Sequence, residues 1–131
     1  MSMIDDRTIT ALARFLDVDV ARYKLIGANL ANIDTPGYRT RDLDFRSELL
    51  RAGAATDSAP GLAYASYASG SAPVARRVRG LLERPDGNNV SLDRESLLLA
   101  ETQMKYNLGV QLVKDEFHTL SQAINSGGAS S

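Results

Sequence analysis

The chain of 131 residues contains no cysteine. Disulfides, thiolate catalysis and cysteine-ligated metal sites all need that residue, so its absence excludes all three. The absence also suits a protein that enters an oxidising compartment without forming wrong bridges. Tryptophan is missing too, and aromatic residues make up only 6% of the chain, so we do not expect a large aromatic pocket.

No charge of one sign dominates the sequence. Fifteen lysines and arginines face sixteen acidic residues, whereas nucleic-acid-binding proteins usually carry a basic excess or a basic face. The one tight basic group is Arg76, Arg77 and Arg79, which we interpret as a solvated loop in preference to a phosphate site. We therefore expect no nucleic-acid partner.

Long hydrophobic runs are missing as well. No apolar stretch approaches the roughly 18 residues that a membrane helix needs, so we expect no direct membrane span. Residues 1–10 have neither the basic region nor the apolar core of a Sec signal. If the protein leaves the cytoplasm, another export route must carry it.

Constellations that carry chemistry are also lacking. His118 is the only histidine, and because zinc sites and catalytic triads need histidine within a cluster, we expect an ordinary helix-surface residue. Residues 86–89 (Asp-Gly-Asn-Asn) are out of register for a calcium loop and instead indicate a turn. No P-loop, dinucleotide fingerprint or nucleophile elbow appears. We expect no enzyme activity, metal, cofactor or small-molecule substrate.

Two pairs of neighbouring carboxylates are interpreted as structural. Asp5 and Asp6 favour the start of a helix, where negative charge suits the helix dipole. Asp42 and Asp44 are expected on an extended edge among nearby arginines, which are Arg39, Arg41 and Arg46.

What the sequence does contain is a long apolar series in its N-terminal third, stepping by three and four residues. Its members are Ile9, Leu12, Leu16, Tyr23, Ile26, Leu30 and Ile33, with Asp19 at the one missing position. This heptad-like seam predicts a helix over residues 5–32, about 40 Å long at 1.5 Å per residue.

The end of that helix is well marked. Pro36 disfavours helix at Thr35. Residues 35–38 (Thr-Pro-Gly-Tyr) predict a type II turn, because proline presets φ at the second position and Gly37 supplies a positive φ at the third. Residues 40–45 are expected to be extended, and residues 45–50 to form a short helix ending near Gly53.

The middle of the chain is less informative. Residues 53–75 are rich in alanine, serine, glycine and proline, which favours a mobile loop over a folded subdomain. Residues 76–85 are equally compatible with a strand or a turn of helix.

A second long helix is predicted over residues 92–125, capped by Ser91 or Asp93 and ended by Asn125, Gly127 and Gly128. Two apolar stripes share it. One comprises Leu97, Met104, Leu108 and Leu112, and the other Tyr106, Val110, Val113, Phe117, Leu120 and Ile124. So wide an apolar face is more than one partner helix covers.

Two helices alone bury little apolar area for their length. At about 25 cal/mol per Å² of apolar burial, against about 1.5 kcal/mol of ordering cost per residue, such a hairpin is marginal. The second stripe therefore predicts further partners, most simply copies of the same chain. The residues leave open whether those copies form an open filament or a closed bundle.

Two segments resemble a known family. Residues 28–38 (ANLANIDTPGY) closely resemble the signature of the flagellar basal body rod and hook proteins, an Asn-Leu-Ala-Asn block followed by Thr-Pro-Gly-Tyr. Residues 86–95 and 101–106 resemble the C-terminal part of the proximal rod members of that family. The resemblance covers roughly residues 5–45 and 84–125 and leaves out the middle.

The resemblance implies a fold class that is mainly α. The long N- and C-terminal helices pair as an antiparallel coiled coil around an irregular middle that is partly β or disordered. The expected divisions are an axial helix in 1–35, a turn, short helix and flexible loop in 36–90, and a second axial helix with a short disordered tail in 91–131. Such termini are disordered before assembly and fold on polymerisation.

The resemblance also implies a role and partners. The motif residues would shape the helix end and its contacts with neighbours in the rod: Asn29, Leu30, Asn32, Thr35, Pro36, Gly37 and Tyr38. We expect a structural subunit of the proximal rod, needed for motility and located in the periplasmic part of the basal body. Its partners would be copies of itself, other rod proteins, the MS-ring/rod junction protein and the flagellar type III export apparatus, which would export it without a cleaved signal. The alternative is a non-polymeric helical-hairpin adaptor that binds another protein through its apolar faces.

Overall fold

The computed structural model describes residues 2–57 and 73–129, with side chains described for 7–51 and 73–127. Three helices and two short strands follow one another along this part of the chain. They are α1 (Ser2–Ala31), β1 (Arg41–Asp42), α2 (Phe45–Asp57), β2 (Arg76–Arg77) and α3 (Leu92–Ala129). The expectation of a mainly α fold with long terminal helices is confirmed.

The two long helices pack against each other in opposite directions. Asn29, near the end of α1, bonds Glu95, near the start of α3. Leu16, in the middle of α1, lies against Gly109, in the middle of α3. A Cβ atom at position 109 would lie 2.7 Å from Leu16 Cδ2, so glycine allows the helices to approach closely there. The order of these contacts confirms the antiparallel hairpin.

The two strands form a small antiparallel ribbon at the closed end of this hairpin, which is the end where α1 stops and α3 begins. Arg41 of β1 lies opposite Arg77 of β2, and Asp42 opposite Arg76. The amide of Val78 extends the ribbon by donating to the carbonyl of residue 40 at 3.0 Å. The sequence left open whether residues 76–85 form a strand or a turn of helix. In the structure, Arg76–Arg77 form a short strand, and irregular chain follows it.

Helix α2 is capped by Asp44, whose carboxylate accepts from the Ser47 amide at 3.2 Å and its hydroxyl at 2.9 Å. These bonds to Ser47 hold the pKa of Asp44 below its usual range. Phe45 meets Phe15 of α1 edge to face, with ring centroids 5.3 Å apart. The Lys105 ammonium lies 4.3 Å from the Phe45 ring centroid, so α2 is attached to both long helices.

Two predicted helix ends are wrong. Helix α2 continues through Gly53 to Asp57, and α3 continues through Gly127 to Ala129. Among the described residues, positive φ angles occur at Gly37, Gly80 and Gly87. A glycine cap needs that left-handed backbone. A glycine inside a helix costs only about 1 kcal/mol, a cost that neighbouring alanines of high helix propensity limit around Gly53.

The prediction of a mobile loop in residues 53–75 divides at the end of α2. Residues 53–57 are helical, residues 58–72 lie outside the described part of the chain, and residues 73–75 lead into β2. Of the residues expected in the disordered tail, 126–129 belong to α3, and 130–131 lie outside the described part of the chain.

The buried interior is small and unusually polar. Among the described residues, only four large aliphatic side chains are buried, namely Val18, Ile26, Leu43 and Val90. Buried polar side chains outnumber them and include Asp19, Asn29, Thr40, Asn88, Glu95 and Thr102. The closed end of the hairpin therefore depends on hydrogen bonds more than on an apolar core.

Candidate assembly site

Asn29 is the centre of the closed end. It is 1% exposed, and its amide nitrogen donates to the Arg41 carbonyl at 2.8 Å and to Glu95 Oε2 at 3.1 Å. Its amide oxygen accepts from the Tyr38 hydroxyl at 3.0 Å and the Arg41 amide at 3.1 Å. Two donors and two acceptors are the full capacity of an asparagine side chain, so Asn29 ties the end of α1 to β1 and α3.

A chain of charges continues from Asn29 across the ribbon. Glu95 is completely buried and accepts from Arg94 at 2.7 Å. Arg94 also donates to Asp42 at 2.9 Å, and Arg22 donates to Asp42 through two nitrogens, each at 3.1 Å. A bidentate arginine–carboxylate pair is among the stronger and more directional contacts in proteins, so it fixes β1 on the helices.

These contacts correct the expectation for Asp42. Its partners are Arg22 and Arg94 rather than the arginines near it in sequence. Burial opposes ionisation of Asp42, but hydrogen bonds from Arg22, Leu43 and Arg94 and the charge of Arg22 hold its pKa below the usual range. The low pKa favours the ionised carboxylate, which is the form that accepts the bonds from Arg22 and Arg94.

The turn after α1 has the predicted geometry. The Tyr38 amide donates to the Thr35 carbonyl at 3.2 Å, and Gly37 has a φ of 75°. The Gly37 amide donates to the Asp86 carbonyl at 2.9 Å. The two glycine turns, around Gly37 and Gly87, thus lie directly against each other.

Asn88 also connects these two turns by hydrogen bonds. It is completely buried and donates to the carbonyls of Asn32 and Thr35, both at 2.9 Å. Arg84 also donates to the carbonyl of Ile33. The carbonyls of the turn that follows α1 are thus bonded by side chains more than 50 residues away in sequence.

The family-signature residues therefore divide into an inner and an outer group. Asn29 is buried, and Leu30, Asn32 and Tyr38 are partly covered. Thr35, Pro36 and Gly37 are exposed. The inner group builds the junction, while the outer group presents a rigid, uncovered corner. Their role at an assembly interface stays a prediction.

Comparison with known proteins decides the family. No protein-family model matches the chain. The chain is 30% identical over 122 residues to the "Flagellar basal body rod protein FlgB" of Salmonella typhimurium, covering 86% of this chain and 88% of that protein. The protein of the same name from Escherichia coli K12 matches equally well, and that of Cereibacter sphaeroides is 31% identical over 117 residues, covering 86% and 89%. The chain belongs to the FlgB family of flagellar basal body rod proteins.

Within this FlgB-family chain, the seam of α1 is partly covered. Ile26 is buried, Leu12, Leu16 and Leu30 are partly covered, and Tyr23 is 49% exposed. Tyr23 is thus less covered than Val18 and Asn29 of the same helix, which are both buried.

The seam of α3, which comprises Met104, Leu108, Leu112, Val113, Phe117, Leu120 and Ile124, is mostly uncovered. Val113 and Leu120 are partly covered. Its other members are between 43% and 73% exposed, namely Met104, Leu108, Leu112, Phe117 and Ile124. Whether these side chains pack in an assembled rod stays a prediction.

Sequence reasoning missed the buried polar pair Asp19 and Thr102. Asp19 is 1% exposed and Thr102 is 2% exposed, and neither side chain forms a hydrogen bond within the described residues. Burial raises the pKa of Asp19 to about 6, although the charges of Lys105 and Arg22 oppose that shift. The available signal was the position of Asp19 in the apolar series, which predicts an inward-facing side chain.

His118 and the described carboxylates are not gathered into one cluster of ligands. His118 is exposed, with its Nε2 3.2 Å from Gln122 Nε2. Within residues 2–57 and 73–129, no group of three or more candidate ligands lies together. Over the same part of the chain, no helix combines the length and apolarity that a bilayer crossing needs.

Proposed function

We propose that this chain is a non-catalytic structural subunit of the flagellar basal body rod, which assembles with copies of itself and with other rod proteins. The observation that carries the proposal is the uncovered apolar face of α3 beside a junction that is rigid and internally bonded. Membership of the FlgB family supplies the identity of the assembly.

Large apolar side chains remain exposed on two sides of α3. Helix α3 is 38 residues long, or about 57 Å at 1.5 Å per residue. Phe117 and Leu108 are each 57% exposed, and Met104 and Ile124 are each 73% exposed. Monomeric soluble proteins rarely expose contiguous apolar patches above a few hundred Å², and larger ones mark interaction sites.

A groove beside this face provides a place for a neighbour. It has a volume of about 550 Å³ and is lined by parts of all three helices, including Leu12, Phe15, Leu49, Leu108 and Leu112. Amphipathic helices commonly bind in apolar grooves of this kind. Leu108 and Leu112 of α3 line this groove, whereas Phe117 lies on the opposite side of the helix, about two and a half turns from Leu108. A helix of the next subunit therefore covers the groove, and a separate contact covers the side of α3 that carries Phe117.

The junction provides the rigidity that a rod needs. Because Asn29, Glu95 and Asn88 bond the turn to both long helices, the exposed corner formed by Thr35 and Pro36 keeps a fixed position on the hairpin. A fixed corner and an apolar face on one subunit provide the two unlike surfaces that repeated head-to-tail contacts require.

The finer assignments follow from the same proposal. The chain occupies the proximal, periplasmic part of the rod, contacts the MS-ring/rod junction protein, and is delivered by the flagellar type III export apparatus. Family membership and the sequence resemblance support these assignments. The helical-hairpin adaptor is not favoured, because the matching relatives are named as rod proteins.

The test is substitution of Phe117 by aspartate in cells that produce no other copy of this protein. A charge in a packed apolar seam costs several kcal/mol, and about 1.4 kcal/mol is a factor of ten in an equilibrium. We therefore expect Phe117→Asp to lower incorporation into purified basal bodies at least about tenfold and to abolish swimming. Leu108→Asp is expected to do the same.

Gln122→Asp is the matched control, because Gln122 is exposed and lies about 140° around α3 from Phe117, at about 100° per residue. It introduces the same charge and should assemble normally. Full incorporation of Phe117→Asp would contradict the proposed use of the α3 face. Absence of the wild-type protein from basal bodies, or a stable, fully helical monomer that never associates, would contradict the proposed function itself.

A further inference from the structure

The unpartnered side chains of Asp19 and Thr102 line the same cavity. The cavity has a volume of about 530 Å³ and lies between α1 and α3. Tyr23 and Tyr106 form part of its wall and are 49% and 45% exposed. The cavity thus brings the buried side chains of Asp19 and Thr102 together with two partly exposed aromatic rings.

The chemistry of this cavity selects a cation. A buried carboxylate without a partner is unfavourable, and a charge-assisted hydrogen bond removes that penalty. Aromatic rings of tyrosine attract cations through their π faces. An arginine suits both features, because its planar guanidinium binds a carboxylate and stacks on an aromatic ring.

The two cations whose charge favours ionisation of Asp19, Arg22 and Lys105, are each paired with another carboxylate. Arg22 is bonded to Asp42 at 3.1 Å, and Lys105 is paired with Glu101 at 2.9 Å. Both contribute favourable charge at Asp19 while Glu101 opposes it, but neither donates a hydrogen bond to it. The occupant must come from elsewhere.

A complementary feature lies on the ribbon formed by β1 and β2. Four exposed arginines cluster on it and just beyond it, namely Arg41, Arg76, Arg77 and Arg79. Arg41 stands directly opposite Arg77, and like charges in that position destabilise a strand pair. None of the four has an ion pair with any residue that the structure describes.

We propose that the cavity at Asp19 and Thr102 receives an arginine from the ribbon of a second copy of this chain. The inference rests on the proposed function, since it specifies one contact between successive subunits of the rod. Two different surfaces of one subunit meet, so each copy has one free cavity and one free ribbon for the next. Such a heterologous contact propagates an open helical polymer.

The contact is tested first by disulfide formation, for which a chain without cysteine is well suited. Gln103 lines the cavity and is exposed, and Arg79 lies at the end of the basic cluster. In basal bodies that contain the double variant Gln103→Cys with Arg79→Cys, oxidation should give a ladder of linked copies. The same protein as a dilute monomer should give none.

The matched control pairs Arg79→Cys with Gln111→Cys, an exposed position on α3 that does not line the cavity. It should give at most about a tenth of the linked product. Equal linking of the two pairs, or no linking in assembled material, overturns the inference.

The second test separates a contact between copies from a purely structural role. Asp19→Asn keeps the shape of the side chain and removes its charge. It should raise the urea midpoint of the isolated chain, because an unpartnered buried charge is lost, yet lower incorporation into basal bodies about tenfold by removing a charge-assisted bond. Asp115→Asn, at an exposed acid in the middle of α3, makes the same charge change and should alter neither quantity appreciably.

Normal incorporation of Asp19→Asn overturns the inference and leaves the proposed rod function intact. A fall in both stability and incorporation also overturns it, because that pattern indicates a structural side chain. Failure of the wild-type protein to enter basal bodies overturns the proposed function instead.

Discussion

The closed end of the hairpin and the exposed side of α3 differ in how much of their surface the chain itself covers. At the closed end, Asn29, Glu95 and Asn88 are almost completely buried and each has hydrogen-bond partners. Along the exposed side of α3, apolar side chains such as Phe117 and Ile124 remain in water. One region is complete within the chain, and the other needs a neighbour.

The difference shows how a small subunit combines a defined shape with a capacity to assemble. Buried polar groups are strongly directional, so they impose one geometry on the chain. Apolar faces are much less directional but supply most of the free energy of association. The buried polar groups and the exposed apolar side chains thus occupy separate parts of the chain. Four predictions test that separation.

Substitution of Asn29 is expected to destabilise the closed end more than any other change described below. Asn29→Ala leaves Glu95 Oε2, the Tyr38 hydroxyl and both backbone groups of Arg41 without this partner, and unpartnered buried groups cost about 1–3 kcal/mol each at most sites. We expect the free energy of unfolding to fall by about 3 kcal/mol or more, measured by urea denaturation. Asn32→Ala removes only local bonds on a partly covered side chain and should cost about 1 kcal/mol. Similar losses for the two variants would contradict a special role for Asn29.

The turn gives the next largest effect. Gly37 has a φ of 75°, and a Cβ atom added there would meet no other atom within 4 Å, so the cost of a side chain comes from the backbone alone. Gly37→Val should cost about 2–3 kcal/mol and abolish swimming in soft agar. Gly37→Asn is the control, because asparagine tolerates left-handed backbone. Normal swimming of the valine variant would refute the assignment of the turn.

A glycine pair sharpens the comparison along the helices. Gly109→Ala places a methyl group 2.7 Å from Leu16 Cδ2, and overpacking of this kind costs about 1–3 kcal/mol, partly offset by better helix propensity. Gly27 has nothing within 4 Å of an added Cβ, so Gly27→Ala should stabilise by about 0.5–1 kcal/mol. The midpoints of thermal unfolding should therefore move in opposite directions. A gain for both variants would show that the helices are not closely packed at Gly109.

Asp19 gives the smallest effect, and it depends on pH. Burial raises the pKa of Asp19 from 3.8 to about 6, so the folded chain binds this proton more tightly than the unfolded chain does. Its contribution to stability is present at low pH and is lost as the pH rises through about 6. From pH 7 to pH 5, wild type should gain about 1 kcal/mol relative to Asp19→Asn.

The window from pH 5 to pH 7 avoids the opposing carboxylates. The pKa values of Asp42 and Glu101 are lowered, so their contributions are lost only at more acidic pH. Parallel stability curves for wild type and Asp19→Asn between pH 5 and pH 7 would show that Asp19 is not buried as described.

Much of the fold was predictable because its signals are local. The apolar spacing of three and four residues indicates both long helices, Ser91 caps α3 through a bond from the Arg94 amide at 3.3 Å, and the Pro36-Gly37 pair indicates the turn. The predicted ends at Gly53 and Gly127 failed because a glycine ends a helix only where the following chain requires left-handed backbone. That requirement is set by tertiary contacts.

The candidate site was predictable only in part. The signature residues were found as a motif, but Glu95, Arg94 and Asn88, which complete the junction, were not assigned as their partners. The exposed seam of α3 followed from its excess apolar width. The burial of Asp19 was visible in the sequence only as a gap in an apolar series.

The sequence by itself determined two amphipathic helices, a glycine turn between them and an apolar surface larger than one chain covers, because each depends on residues close together in the chain. Only the tertiary structure decided which polar groups pair. Arg22 and Asp42 are 20 residues apart and Asn29 and Glu95 are 66 apart. Hydrogen bonds act over a few ångströms with strict direction, so such partners are known only once the helices are in place.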